Sequence, residues 1–302
     1  MPWLGIRGNG TLSHALPRKF RLGYAYEILA RLLAARLDWY AALQGETLAP
    51  PPVPGRREID REWLKRHRQG ALEGLSTSGK TGFMEVCHEV SDSAILKTQA
   101  ELLPAARQAQ VHIFGWPIGV VFDNREEFRP RPTNEGILAS ISTAVQHPLA
   151  SDGMFDYWAL TKGGDFYTLT SLPEDDRRAE TPILAMDTRI RRATEAVLHC
   201  QNLYKVLGIA PNARVTLTVR YGGLRGRTLT AASNRHVFPR KNIHEDAVSV
   251  PPITFRLGAI ETDIVELVKK LCEPLFVIFD FASFDDDVYR ESVTDFVRGK
   301  VS

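Results

Sequence analysis

The sequence has no apolar run approaching the roughly 18 residues that a membrane-spanning helix requires. Its opening, Met1-Pro-Trp-Leu-Gly-Ile-Arg, has no apolar signal-peptide core. A cytosolic protein with no membrane partner is therefore expected. Cysteine is scarce: Cys87, Cys200 and Cys272 are far apart and odd in number. That excludes a fully paired disulfide framework and any CxxC metal site, and points to reduced, buried thiols. The chain also lacks charge of one sign. With 38 Lys+Arg against 36 Asp+Glu the net charge is +2, so no global field argues for nucleic acid. The balance is uneven, with 12 basic against 7 acidic residues over 1–75, or +5, and −3 over the remainder.

Signatures of several reaction classes are missing too. The eight histidines are scattered, with no HExxH and no cluster at metal-ligand spacing. There is no G-x-S-x-G nucleophile elbow. No acid precedes a close E-x-K pair on a strand, the trio with which restriction-type nucleases hold a hard metal ion. Glu266-Leu-Val-Lys269 has helical spacing instead. No catalytic residue, cofactor or metal is assigned, and the balance leans away from an enzyme, although catalytic groups from distant segments would leave no spacing signal.

What is present begins with helices. From Arg21 to Leu43, Leu22, Tyr26, Leu29, Leu33, Leu37, Tyr40 and Leu43 recur three or four residues apart, forming one apolar stripe suited to a core or to an oligomer interface. Gly45 ends it, and the proline-rich linker 49–55 follows. A second helix is expected from Glu58 to Leu75. On it Arg57, Arg61, Lys65 and Arg68 fall at i, i+4, i+8 and i+11, a basic stripe that either tracks phosphates or is a solvated face relieved by Glu58, Asp60 and Glu62. The expected organisation is a helical segment over 1–75 and an α+β domain over 76–302.

Gly74-Leu-Ser-Thr-Ser-Gly79-Lys80-Thr81 matches G-x-x-x-x-G-K-[ST] letter for letter. A phosphate loop needs a strand before it and a helix after it, so that backbone N–H groups and the helix N-terminus cradle the anion. Here the order is inverted, and a flexible connector is the competing reading. A nucleotide site would use Gly79, Lys80, Thr81 and, from an apolar run over Pro274–Phe281 read as a buried strand, Asp280.

The most apolar stretch in the middle of the chain is Gln110–Phe122, read as two core strands hinged at Gly115-Trp116-Pro117. Trp116, Asp123, Arg129 and Arg131 exceed what a core needs and form the expected wall of a ligand pocket. A helix is expected over Ser93–Gln108 and a strand over Ile137–Val145. Phe155–Thr161 and Asp165–Thr170 around Lys162-Gly-Gly164 read as a hairpin. Arg214–Arg220 and Arg227–Ala231 read as a second, with Arg225 and Arg227 at a basic edge that could meet phosphate. Helices are expected from Asp187 or Thr188 to Leu207, from Glu261 to Cys272 and from Asp285 to Arg298. Pro251-Pro252 demotes Val248–Leu257 to an edge strand. The fold expected is α+β, a mixed sheet with flanking helices and two hairpins, behind a helical N-terminal segment.

Several stretches resemble a region of bacterial DNA-binding proteins of the AlbA/Schlafen type, where it follows the AlbA-like domain. They are Ser78–Glu85, Ile113–Val121 with Arg129–Pro132, Tyr157–Leu160 with Gly164–Tyr167, Gly222–Arg227 and Leu271–Phe276, within roughly residues 74–301. The AlbA-like domain itself is not found here, so no nuclease residue transfers to any position. In that family the position of Lys80 carries an Arg-like variant, which weakens the phosphate-loop reading. The resemblance implies a regulatory or sensory module that accompanies a nucleic-acid-acting domain. The functions in competition are a non-catalytic regulatory or ligand-sensing protein that engages nucleic acid or another polyanion, a P-loop NTPase, and a structural subunit forming homo-oligomers.

Overall fold

A computed structural model describes residues 60–300 apart from 92–94, 114, 144–153, 177–181, 232–238, 243 and 281. The chain divides into two units, Met1–Pro54 and Gly55–Ser302, and every described residue belongs to the second. The striped helix expected over 21–43, the linker 49–55 and Arg57 lie outside the described residues.

The fold is α+β. Its main sheet is built from β1 (Phe83–Val90), β2 (Arg131–Pro132), β3 (Gly136–Ser142), β4 (Phe155–Thr161), β5 (Phe166–Ser171), β7 (Arg214–Gly222), β10 (Val248–Ser249) and β11 (Ile253–Arg256), in the order β10-β7-β1-β5-β4-β3-β2 with β11 also on β7. Every pairing in it is antiparallel. The β4–β5 hairpin is present as expected, and the Pro251-Pro252 pair separates β10 from β11 at the sheet edge. A small second sheet holds β6 (Ile183–Ala185), β8 (Thr228–Thr230) and β9 (Arg240–Lys241).

Helices cover both faces of the main sheet. The helix α1 (Arg61–Thr77) seats Trp63, Ala71 and Leu75 on Phe155, Tyr157, Ala159, Tyr167 and Leu169. The opposite face carries the alternate residues of the same strands, among them Met84, Val86, Trp158, Leu160, Leu217 and Val219. Against it pack α2 (Gln99–Ala109), α3 (Met186–Val206), α4 (Ile260–Val277) and α5 (Asp286–Val297). β4 is buried along its whole length because it is covered on both sides.

Three expectations about local structure are corrected. The second hairpin does not form: β7 lies in the main sheet, while β8 pairs in parallel with β6 in the small one. The Pro274–Phe281 run is not a strand, because α4 continues to Val277. Leu271, Cys272, Leu275, Phe276 and Phe279 are buried at helical spacing, while Val277 is 46% exposed. The described residues of Gln110–Phe122 form no strand either. Val111, Ile118 and Val120 are buried, and Gly115 and Gly119 sit at φ of 61° and 66°, outside the extended region. Its backbone groups pair with side chains instead of a ladder. Gln110 donates to the Gly119 carbonyl at 3.0 Å, and the Trp158 indole N–H donates to the Val120 carbonyl at 2.8 Å.

The stretch that matches a phosphate loop is a helix stop. The Gly79 N–H donates to the Ser76 carbonyl and the Lys80 N–H to the Leu75 carbonyl, with Gly79 at φ 72°. That is the Schellman arrangement, in which a left-handed residue closes the helix end. Thr81 follows at the entrance to β1. The loop therefore receives the carbonyl end of α1, the negative pole of the helix dipole, which repels phosphate. Asp280 ends no strand and pairs with Arg240 at 2.8 Å. Gly79→Ala should cost about 1 kcal/mol, the penalty for a left-handed non-glycine residue, read as a melting-temperature drop of about 2–4 °C. An unchanged melting temperature would refute the helix-stop role.

Candidate functional site

Two of the five described cations of the expected basic surface, Arg68 and Arg227, are tied up by their own protein. Arg68 pairs with the buried Glu85 at 3.0 Å, and Arg66 with Glu135 at 2.6 Å. Arg227 is buried, donating to the Gly223 and Ile183 carbonyls and to Asp175. It joins the small sheet to the turn after β5 and is withdrawn from any polyanion. Arg61 and Lys65 on α1 and Arg225 beyond β7 remain exposed.

The expected pocket wall divides as well. Asp123 takes a bidentate ion pair from Arg107 at 2.7 and 2.8 Å, and Arg129 and Arg131 are exposed. None of the three lines the cavity beside Trp116. That cavity, about 210 Å³, is bounded by Trp116, Met154, Pro173, Glu174, Thr188 and Arg192, with Gly115 at its rim.

Beneath it lies a buried charged cluster that connects three parts of the chain. On α3, Arg192 donates from Nη1 to the Trp116 carbonyl and to Glu195 Oε2, both at 2.7 Å. Glu195 is fully buried, and its Oε1 accepts the Ile118 N–H at 2.7 Å. The two side chains fix the 116–118 backbone against the helix. One turn earlier, Arg189 donates from Nη2 to Glu174 Oε1 and Oε2 at 3.1 and 2.9 Å, with both side chains essentially inaccessible. Glu174 Oε1 also accepts the Ala185 N–H at 3.1 Å. It thereby places a carboxylate at the N-terminus of α3, where the helix dipole favours it and where no side-chain cap exists.

Asp156 on β4 is the unpaired member. It is 2% exposed, and its Oδ1 has no hydrogen-bond partner. Burial pushes its carboxyl up to about 8. The Arg192 guanidinium opposes that rise and Glu195 adds to it. Burial raises Glu195 too, against Arg192 and the Ile118 N–H. Further along the same face, His88 Nδ1 meets the Tyr204 hydroxyl at 2.9 Å and His88 Nε2 meets His199 Nδ1 at 3.3 Å. Burial lowers both rings, His199 to about 3, so they are neutral. His199 Nε2 has no partner. It faces Gly119, where any Cβ would stand 3.1 Å from it.

No protein-family model, curated protein or solved structure matches the chain. The site therefore rests on its own chemistry. Among the described residues no group of His, Cys, Asp and Glu could hold a metal ion, and no helix is long and apolar enough to cross a membrane.

Trp116 is the one sequence-expected residue that lines the cavity. Asp156, Glu174, Arg189, Arg192 and Glu195 were not anticipated. Asp156 left a signal, a lone carboxylate inside an aromatic strand. Glu174 sat in a stretch that reads as a polar loop, and the α3 residues read as the polar side of an amphipathic helix.

Proposed function

We propose that this chain is a regulatory, ligand-sensing protein whose ligand seat is the Trp116 cavity. The observation that carries the proposal is the junction there of an apolar wall with a buried, mutually ordered charged cluster. Convergent polar groups at a mostly apolar concavity are the usual make-up of a small-molecule site. The site is also built as a relay. Arg192, which borders the cavity, holds the Trp116 carbonyl and with Glu195 fixes the 116–118 backbone, so a ligand that displaces Trp116 acts directly on α3. The resemblance to the region accompanying AlbA-like domains supports a sensory role, since its motif Ile113–Val121 contains Trp116.

Contact with nucleic acid or another polyanion is the second layer of the proposal. It would fall to Arg61, Lys65 and Arg225, the candidate cations left exposed among the described residues. The test is a thermal-shift screen of a metabolite library on the full chain and on Trp116→Ala. Compounds that raise the wild-type melting temperature by several degrees and leave the variant unmoved are the expected result. A library without such compounds, or hits indifferent to Trp116, would refute the ligand seat. Salt-sensitive DNA or RNA binding that is unaltered by charge reversal at Arg61 and Lys65 would remove the polyanion layer.

A further inference from the structure

We propose that α1 and the uncovered strands β1, β7 and β11 form one basic groove, and that this groove holds duplex DNA by its phosphate backbone. The inference rests on the polyanion layer of the proposed function. It adds the sheet-side half of the surface and the kind of polyanion.

Helix spacing sets the first wall. Arg61, Lys65 and Arg68 fall within about 60° of one another around α1, on one flank of its buried line Trp63, Ala71 and Leu75. Arg68 shows where that flank points, since its guanidinium pairs with Glu85 of β1 at 3.0 Å. The other flank carries Glu62, Arg66 and Glu73, and Arg66 reaches Glu135, just before β3. The helix sits on β4 and β5, and the sheet order is β7-β1-β5-β4-β3. The basic flank therefore looks out over β1 and β7.

Strand register sets the floor. Val215, Leu217, Val219 and Tyr221 of β7 point into the core on the far face. Their neighbours therefore lie on the α1 face, with Thr216, Thr218 and Arg220 half-buried and Arg214 exposed. Pairing of Arg214 with Arg256 and of Thr216 with Thr254 carries this surface onto β11, where the two threonine hydroxyls meet at 3.1 Å. Glu85 stands opposite Arg220 in the β1–β7 register. Arg68 and Arg220 thus flank one carboxylate, and helix wall and sheet floor join there.

Positive charge is in excess on this surface. Among its described residues, Arg61, Lys65, Arg68, Arg214, Arg220 and Arg256 stand against Glu85 and Glu89, six bases to two acids, or +4. Asp60, at the start of α1, turns its carboxylate onto the helix N–H groups. Arg61, Lys65, Arg220 and Arg256 have no acidic partner among the described residues. Arg220 donates from Nε to the Ser249 hydroxyl at 3.1 Å, and Arg256 from Nη1 to the Asn212 carbonyl at 3.0 Å. A neutral acceptor orients a guanidinium without cancelling its charge, so the floor presents two aimed cations beside the two on the helix.

The same surface discriminates among polyanions. Arginine and threonine are phosphate-contacting side chains. No aromatic side chain joins them on the α1 face of β7, β10 and β11, so the bases of a single strand find nothing to stack on. From Arg214 to Arg220 the strip runs about 20 Å, about six steps of duplex at 3.4 Å each. Recognition of duplex RNA spans about 16 base pairs, more than the strip covers. Phosphate contacts fix position and carry no sequence information, so binding is indifferent to base sequence.

Fluorescence anisotropy of the full chain with a DNA duplex of about 20 base pairs tests this. Four unneutralised cations should give a slope of log K against log salt of about −3.6, or about a hundredfold loss between 50 and 200 mM. Arg220→Gln and Arg256→Gln should each weaken binding severalfold and flatten the slope by about 1. Both should do so equally for two unrelated sequences and keep the wild-type melting temperature. Arg290→Gln, on α5 at the far face, should leave binding unchanged, and the single strand should bind at least tenfold more weakly. If Arg61→Glu with Lys65→Glu abolishes binding while Arg220→Gln and Arg256→Gln alter neither affinity nor slope, the groove is wrong and the polyanion layer on α1 stands. Single strands or duplex RNA bound as tightly as duplex DNA, or heparin bound in its place, would overturn the DNA and leave that layer. A wild-type chain that binds none of them removes both.

Discussion

Asp156→Asn should raise the melting temperature at pH 9 by at least 10 °C and leave it almost unchanged at pH 4. The cause is a proton held more tightly in the folded state. Burial pushes the Asp156 carboxyl up to about 8, whereas in an unfolded chain it titrates near 3.9. The sign follows from linkage. Below about pH 4 both states are protonated and the group costs nothing. As pH rises the unfolded chain loses its proton first, and stability falls until the folded carboxyl ionises near pH 8. At about 1.4 kcal/mol per pH unit over that window, the cost is on the order of 5 kcal/mol. Each kcal/mol moves the melting temperature by about 2–4 °C in a domain of this size. Asparagine has no charge to bury, so the variant should show a flat alkaline limb where the parent slopes. Parallel wild-type and variant profiles across pH 4–9 would mean that Asp156 is solvated or paired in solution.

Those features explain why the fold was more legible than the site. Strands such as β1 and β7 alternate, with Val215, Leu217, Val219 and Tyr221 inward, and period two is visible without knowing a partner. The β4–β5 hairpin carried its turn chemistry on its face. The errors came where apolar content was taken for a strand. Within Gln110–Phe122 the run Pro117–Val120 is buried, and the Ile118 N–H and the Trp116 and Val120 carbonyls are satisfied by the side chains of Glu195, Arg192 and Trp158; partners 77, 76 and 38 residues away leave no local pattern. Leu275–Phe279 is apolar on the inner side of a helix, too short a run to tell the two periods apart. Gly79-Lys80-Thr81 matched the letters of a phosphate loop, yet the helix lay on the wrong side. The buried cluster was least legible of all, because an arginine is ordinarily a surface residue. Only a carboxylate brought close by the fold makes Arg189 or Arg192 a buried one.

Arg189→Met should be the most damaging substitution in that cluster. It should cost about 3–5 kcal/mol, because it strands the Glu174 carboxylate in the interior, and should lower the melting temperature by about 10 °C. The pair is unlike the surface ion pairs of α4 and α5. Arg189 and Glu174 are both about 98–99% buried, and Glu174 also accepts the Ala185 N–H. Methionine keeps most of the arginine volume and removes only the charge and its bonds. Adding Glu174→Gln to Arg189→Met should recover more than half of the loss. The neutral amide no longer needs a counter-ion, and its oxygen can still accept the Ala185 N–H. A buried ion pair contributes little net stability over a neutral pair of similar shape. The double variant therefore isolates what the pair is for, which is to tie the turn after β5 to the start of α3 and so set the Glu174 and Thr188 walls of the cavity. If the double variant is as unstable as Arg189→Met alone, the loss lies in arginine packing and the stranded-charge account is wrong.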